Sequence, residues 1–376
     1  MRPLYIPNTD HTIGYAGNKI YKPLELIPTS ISQSEIESRL KEIGKNEMWE
    51  HLVSISHTIN LAVNEYFTKI GSKFVLLPLT TRMISSPGAL YGKERINYTT
   101  DTSPIKLKWF DLQKDVFLSE SSQIYLELYL MMGGLDSVYA VYNSFRKEKS
   151  DATHLSEFHH IEYEGKVTQE KNIEIAIGLF GEIIGKLLRE NYSDLSFFLF
   201  DDDINYLKKF TSNKKYTKLT FEQALDELYR ATKDERYKEF TCKYFGAWEE
   251  VKITSLLDEM AVITEYPLYE IPFYHAGLKR NGKEVGENAD IIWPYYREIL
   301  GSGHRVRSLD ELLEKAKIFN LPMEDYKYYL ASREAKNYKQ TSGFGLGYER
   351  FLQGLLKLPY IYLTTAFPRV HSTIYP

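Results

Sequence analysis

The chain has 376 residues, 43% hydrophobic and 14% aromatic, enough apolar material for one large core or two modest ones. Lys+Arg total 47 against 51 Asp+Glu, a net charge near −4, which excludes a protein that clamps nucleic acid over its whole surface and leaves only local contact. Cys242 is the one cysteine, which excludes an intrachain disulfide and a cysteine-based zinc site and fits a reducing cytoplasm.

The opening residues, "MRPLYIPNTDHTIGYAGNK", hold no apolar run of signal-peptide length, and nowhere do about 18 apolar residues stand together, so a cytoplasmic protein without a membrane span is expected. Residues 1–33 are rich in Pro, Thr and Ser and read as an extended arm. Ser34 is placed to cap one long amphipathic helix through "EIESRLKEIGKNEMWEHLVSISHTINLAVNEYF". "KFVLLPLTT" (73–81) reads as a strand, with Pro78 marking an edge or a break in pairing. "IKLKWF" and "DVFLSE" read as further strands, and "SSQIYLELYLMM" as a helix. The alternating segments "SVYAVYNSFR" and "EFHHIEYEG", joined by "KEKSDATHLS", predict a hairpin with a long tip.

Residues 169–190 predict a helix, and 191–262 a charged helical insertion. Lys208, Lys209, Lys214, Lys215 and Lys218 read as a solvated loop rather than a nucleic-acid patch. Asn281-Gly282 predicts a tight hairpin turn, and Ser308 with Glu311 a capped helix start. Strands come in groups rather than in strict alternation with helices. The fold class expected is therefore α/β of the α+β type, a mostly antiparallel sheet flanked by helices.

"TSGFGLGYERFLQGLLKLP" (341–359) places glycines at every second position. A dinucleotide-binding GxGxxG fails here, because Tyr348 stands where the third glycine belongs and the stretch lies near the end of the chain. As a strand, 342–347 turns Gly343, Gly345 and Gly347 to one face, a flat floor for a planar ring, with Phe344 and Leu346 in the core. Glu349 and Arg350 then sit at a strand–helix junction, where Arg350 can lie over a ring and reach a phosphate. The alternative is a glycine strand that lets another backbone pass close by.

"GFGLGYER…AFPR" resembles motif 3 of the class II aminoacyl-tRNA synthetases in its asparaginyl form. "FRKEKSDATHLSEFHHIEYE" (145–164) resembles motif 2, "GSKFVLLPLTT" (71–81) motif 1, "SSQIYLELYLMMGGLD" the amino-acid-binding segment, and "ENADIIWPYYREILGSGHR" (287–305) the metal and substrate segment. The resemblance runs over residues 46–376, and residues 1–45 are read as an extension. It implies ATP and Mg²⁺ as cofactors, a homodimer through motif 1, and formation of an aminoacyl-adenylate.

By the same resemblance Arg146 bridges the α-phosphate and the substrate carboxylate, and Phe158 stacks on adenine opposite Arg350 over Gly345 and Gly347. Glu148 reads the adenine edge, and His154 faces the β- and γ-phosphates or shapes the loop. Asp290 and Glu298 hold the metal, as hard oxygen ligands for a hard cation. Their separation fits the asparaginyl better than the aspartyl branch. A family serine is replaced by Gly303, with Ser302 one position away. His154, His159 and His160 do not predict zinc, since alternation sends neighbours to opposite faces.

Gln123 matches the residue that holds the α-amino group and Arg305 the arginine that reads the side chain. Leu126 stands where aspartyl enzymes carry a lysine, so asparagine or another neutral amino acid is expected rather than aspartate. The family's anticodon-binding barrel takes about 100 residues, against the 45 that precede this core. The expected acyl acceptor is therefore an amine or hydroxyl other than a fully recognised tRNA. The alternatives are an ammonia-dependent asparagine synthetase, a true asparagine-tRNA ligase, and a non-catalytic synthetase-like module.

Overall fold

The two alternating segments form nine-residue strands, Ser137–Phe145 and Glu157–Gly165, paired antiparallel from Ser137↔Gly165 to Phe145↔Glu157. They lie in an eight-stranded sheet. In chain order its strands are β1 Lys73–Phe74, β2 Ser137–Phe145, β3 Glu157–Gly165, β4 Thr217–Thr220, β5 Ala261–Thr264, β6 Asn288–Ile292, β7 Glu298–His304 and β8 Ser342–Gly347. Across the sheet the order is β4-β5-β6-β7-β8-β3-β2-β1, antiparallel except for the two outermost pairs. The computed structural model describes residues 5–7, 13–15, 18–20, 31–91, 103–148, 150–358 and 360–374. Most of the arm expected over 1–33 lies outside them, but Tyr5–Pro7, Ile13–Tyr15 and Asn18–Ile20 form a small antiparallel sheet.

One face of the large sheet is closed by the helices Met48–Lys69 and Gln169–Glu190, whose stripes Ile55, Ile59, Ala62, Val63, Phe67 and Ala176, Phe180, Ile183 are buried. They meet the inward residues of β3 and β8, Ile161, Tyr163, Phe344 and Leu346. Phe67, Tyr163 and Phe344 stack with centroids 5.6 and 5.3 Å apart for successive rings. The other face is left for the site.

The long first helix is two helices. Gln33–Glu42 ends before Gly44, the poorest helix former short of proline, and Met48–Lys69 starts where Asn46 Oδ1 accepts from Met48 N at 3.0 Å. The cap is Ser32 rather than Ser34, in a reciprocal box with Glu35. The strand expected over 73–81 is split as well: Lys73–Phe74 joins the large sheet, and Thr80–Thr81 joins a small sheet with Lys106–Leu107 and Val116–Leu118, with Pro78 between. The helix Gln123–Tyr129 and the hairpin turn at Asn281-Gly282, both residues at positive φ, fall where the sequence puts them.

Within 191–262 the helices Asp201–Asn213, Phe221–Thr232 and Ala247–Leu257 are joined by β4 and β5 of the large sheet. Phe221, Leu228, Trp248 and Val251 are buried in the same core as the two long helices.

Candidate active site

Alternation along β3 sends Phe158, His160, Glu162 and Glu164 to the face away from the long helices, and the antiparallel register aligns each with its neighbours. Gly345 lies between Glu162 and Gly301, and Gly343 between Glu164 and Gly303. Beyond β7, Asp290 stands opposite Gly301 and Asn288 opposite Gly303. Four positions in a square thus carry no side chain, walled by Asp290 and Asn288 on one side and Glu162 and Glu164 on the other. The trough is the floor of a cavity of about 240 Å³ that Arg146, Gln123, Glu298, His275 and Arg305 also line. A contiguous cavity wall of Phe158, Gly345, Gly347, Arg146, His154 and Arg350 extends it.

The glycines serve two ends of this trough. Gly345 and Gly347 border the part lined by Phe158 and Arg350. Gly343 does something else: a Cβ there would collide with Glu164 Oε2 and Gln123 Nε2. Its bareness makes room for a polar cluster, so the flat floor expected under a ring is shorter than three glycines.

That cluster is built on Arg305, fully buried, whose Nε and Nη2 donate to Glu164 at 3.0 and 2.6 Å. Gln123 Nε2 donates to Glu164 Oε2 at 2.5 Å and to Tyr163 O at 2.8 Å, and Thr341 Oγ1 donates to Glu164 Oε1 at 2.6 Å. Burial opposes the charge on Arg305, but Glu164 overrides it and pushes the guanidinium further up. Behind it a second buried pair, Arg333–Glu127 at 2.7 Å, receives the Tyr329 hydroxyl. Leu126 does not reach the cavity; it is buried among Leu130, Val138, Ala140 and Tyr142.

At the other end Arg146 lies 5.3 Å over the Phe158 ring. Arg350 instead donates to the carbonyls of Glu298 (2.9 Å) and Thr153 (3.3 Å). The cation directly over the Phe158 ring is Arg146; Arg350, expected across a bound adenine from that ring, begins a helix whose first turn points it at those carbonyls. Arg146 Nε is buried without a partner, and Glu148 stands 4.0 Å from both Arg146 and His154. The histidines diverge: His154 meets Asp151 at 2.8 Å, His159 meets Glu349 at 2.6 Å, and His160 meets Ser144 at 2.7 Å. Burial, then Arg146 and Arg350, push His160 well below the usual imidazole range, so it is neutral.

Asp290 and Glu298 flank one bare position: a Cβ on Gly301 would lie 3.0 Å from Glu298 Oε1 and 3.6 Å from Asp290 Oδ1. Burial first, then Glu298, push Asp290 well above the carboxylate range; burial also raises Glu298, with Arg350 in part offsetting it. Two half-buried carboxylates side by side, one raising the other and with no ion pair to either among the described residues, suit a hard divalent cation. Among the described residues no cluster of three or more His, Cys, Asp or Glu is placed to hold a metal ion. Ser302 is turned away, donating to Ala289 O and accepting from Gln169 Nε2.

Three further side chains at this cleft escaped the sequence reading. Glu162 and Glu164 were signalled by their spacing, since both share the face of Phe158 in "EFHHIEYEG". Burial pushes the Glu162 carboxyl up to about 7, and its Oε2 has no partner. His275 had no local signal at all.

An antiparallel sheet with a glycine trough, two arginines and an acid pair is the architecture of a class II synthetase core. The chain matches the family model for tRNA synthetases class II (D, K and N) over residues 32–371 and belongs to that family, as a ligase. It is 29% identical over 329 residues to the asparagine–tRNA ligase of Pyrococcus abyssi, covering 86% of this chain and 69% of that one. It is 31% identical over 328 residues to that of Thermococcus gammatolerans, covering 86% and 70%. The structure resembles asparaginyl-tRNA synthetase from Pyrococcus horikoshii complexed with asparaginyl-adenylate, with a TM-score of 0.80 and 25% identity over 97% of this chain and 78% of that one. No helix among the described residues is long and apolar enough to cross a membrane.

Proposed function

We propose that the chain activates asparagine, or a closely related neutral amino acid, with ATP to an aminoacyl-adenylate and pyrophosphate, and passes the acyl group to an amine or hydroxyl. The observation that carries the substrate choice is the closed Arg305–Glu164 pair. The charge of Arg305 is already balanced, so a neutral amide can take a remaining guanidinium N–H while an aspartate carboxylate would add an uncompensated buried charge. Glu162, with one free oxygen, takes the α-ammonium beside Gln123.

Arg146 leaves the Phe158 face when adenine arrives, and its guanidinium reaches the α-phosphate and substrate carboxylate. Arg350, anchored on Glu298 O, closes the base from the opposite wall. Negative charge developing at phosphorus is met by Arg146, which, once turned to the phosphate, needs no further reorganisation at the moment of reaction. Asp290 and Glu298 would hold Mg²⁺, which supplies charge neutralisation to the phosphates. The exposed apolar side chains of the 48–79 region provide for a homodimer.

Asparagine-dependent exchange of labelled pyrophosphate into ATP tests this reading, screened against all amino acids; no exchange with any neutral amino acid overturns it. The names of the relatives favour a second reading of the last step, in which the acceptor is a tRNA. Charging of bulk tRNA with asparagine separates it from transfer to a small amine. Asparagine made from aspartate and ammonium would instead establish the ammonia-dependent synthetase.

A further inference from the structure

Glu164 has no acceptor capacity left. Oε1 receives Arg305 Nε (3.0 Å) and Thr341 Oγ1 (2.6 Å), and Oε2 receives Arg305 Nη2 (2.6 Å) and Gln123 Nε2 (2.5 Å). These occupy the lone-pair positions of a carboxylate, and a guanidinium only donates. An amide side chain brings an acceptor oxygen, which Arg305 meets, and an NH₂, which none of these groups can receive. A buried amide N–H without a partner weakens binding, so the recognition surface needs one more acceptor.

His275 stands at that end of the cavity. Its backbone bridges to Arg305, its N–H donates to Pro272 O at 3.1 Å, and Lys315 Nζ donates to its carbonyl. The backbone is thus held from three sides. His275 as a whole is 7% exposed and lines the same cavity as Gln123, Arg305 and Gly343. It occupies the space that the absent side chain of Gly303 leaves: a Cβ there would lie 2.6 Å from Cε1 and 2.7 Å from Nδ1. Nδ1 is buried with no hydrogen-bond partner. Gly303 and His275 are therefore matched, the one bare so that the other can enter.

Resting on the asparagine reading above, we infer that His275 is a specificity-determining residue whose ring nitrogen accepts from the side-chain N–H of an amide substrate. Burial, with Arg305 and Lys315 nearby, holds the ring far below the usual imidazole range, so the lone pair is free. An aspartate carboxylate offers no N–H, and its oxygen would face that lone pair. The imidazole thus adds a second barrier to the acid, beside the charge balance that Glu164 already gives Arg305.

The test is pyrophosphate exchange by the full chain, with asparagine and aspartate as the amino acids. H275L should lower kcat/KM for asparagine by about 10- to 100-fold, leave the KM for ATP within about twofold, and shrink the preference over aspartate by the same factor. H275Q, which keeps an acceptor oxygen, should restore most of that preference. In the wild-type protein the ¹⁵N shift of a His275 ring nitrogen should move on saturation with asparagine and not with aspartate, a readout that needs no variant to fold. An unchanged asparagine-to-aspartate ratio in H275L, an H275Q as poor as H275L, or a ¹⁵N shift indifferent to asparagine overturns the assignment alone. Wild-type protein that exchanges with no amide amino acid overturns the functional reading and the assignment with it.

Discussion

Arg305 and Glu164 are paired side-on inside the sheet, Nη2 to Oε2 at 2.6 Å, with both side chains at most 2% exposed. Removing one charge strands the other. Glu164→Gln should lower the unfolding free energy by about 3–5 kcal/mol, read by denaturant titration. In the surviving folded fraction it should shift exchange towards aspartate, because the freed guanidinium then seeks an anion. A variant as stable as wild type, with unchanged selectivity, would show that the pair is not what balances the pocket.

Glu162 makes the ligand-free protein pH-sensitive in a definite direction. Its folded carboxyl is raised by burial from 4.5 to about 7, so the favourable protonated state is complete below pH 4.5 and is lost as the pH rises through about 7. The shift corresponds to roughly 3 kcal/mol. Glu162→Gln should therefore be nearly neutral at pH 4.5 and stabilise the ligand-free chain by up to that amount at pH 8. Amino-acid binding should weaken below pH 7, since an ammonium needs the carboxylate. Parallel stability curves for the two proteins between pH 5 and 8 would remove this role.

Asp290 and Glu298 should trade stability for activity. Glu298 raises the pKa of Asp290, so Asp290→Asn relieves like-charge repulsion and should raise the melting temperature of the metal-free chain. The same change should cut pyrophosphate exchange by about 100-fold or more and abolish stabilisation by added Mg²⁺. Exchange that survives both the variant and a chelator would sever these acids from the chemistry.

The region around β1 exposes Phe74 (49%), Leu76 (79%) and Leu79 (43%), and the helix Met48–Lys69 exposes Val53 and Leu61. A two-residue edge strand and a helix with apolar side chains in water form a surface that a second copy would cover. Sedimentation should give a dimer, and Leu76→Asp a monomer. A wild-type monomer at micromolar concentration would end that proposal.

Period-two alternation in 137–145, 157–165 and 342–347 determined three strands and their inward faces, because side-chain direction along a strand is local geometry. Gly345, Gly347 and Arg350 were legible for that reason, while Arg146, Phe158, Asp290, Glu298, Arg305 and Gln123 came from the resemblance of their motifs, and the structure places all of them around one cleft. Which partner each chose was not legible. Arg146 over Phe158, Arg350 on the Glu298 carbonyl, Leu126 in an apolar cluster and Ser32 as the cap depend on distances between elements far apart in the chain or on a turn closing in one of several ways.

The sequence by itself thus determined what kinds of groups face the cleft. Only the tertiary structure decided their pairing: that Glu164 is saturated, that Glu162 keeps an oxygen free, and that His275 fills the space left by Gly303. Residue order sets which face a side chain takes; hydrogen-bond saturation and desolvation belong to the packed assembly, where every buried polar atom must find a partner or wait for a ligand.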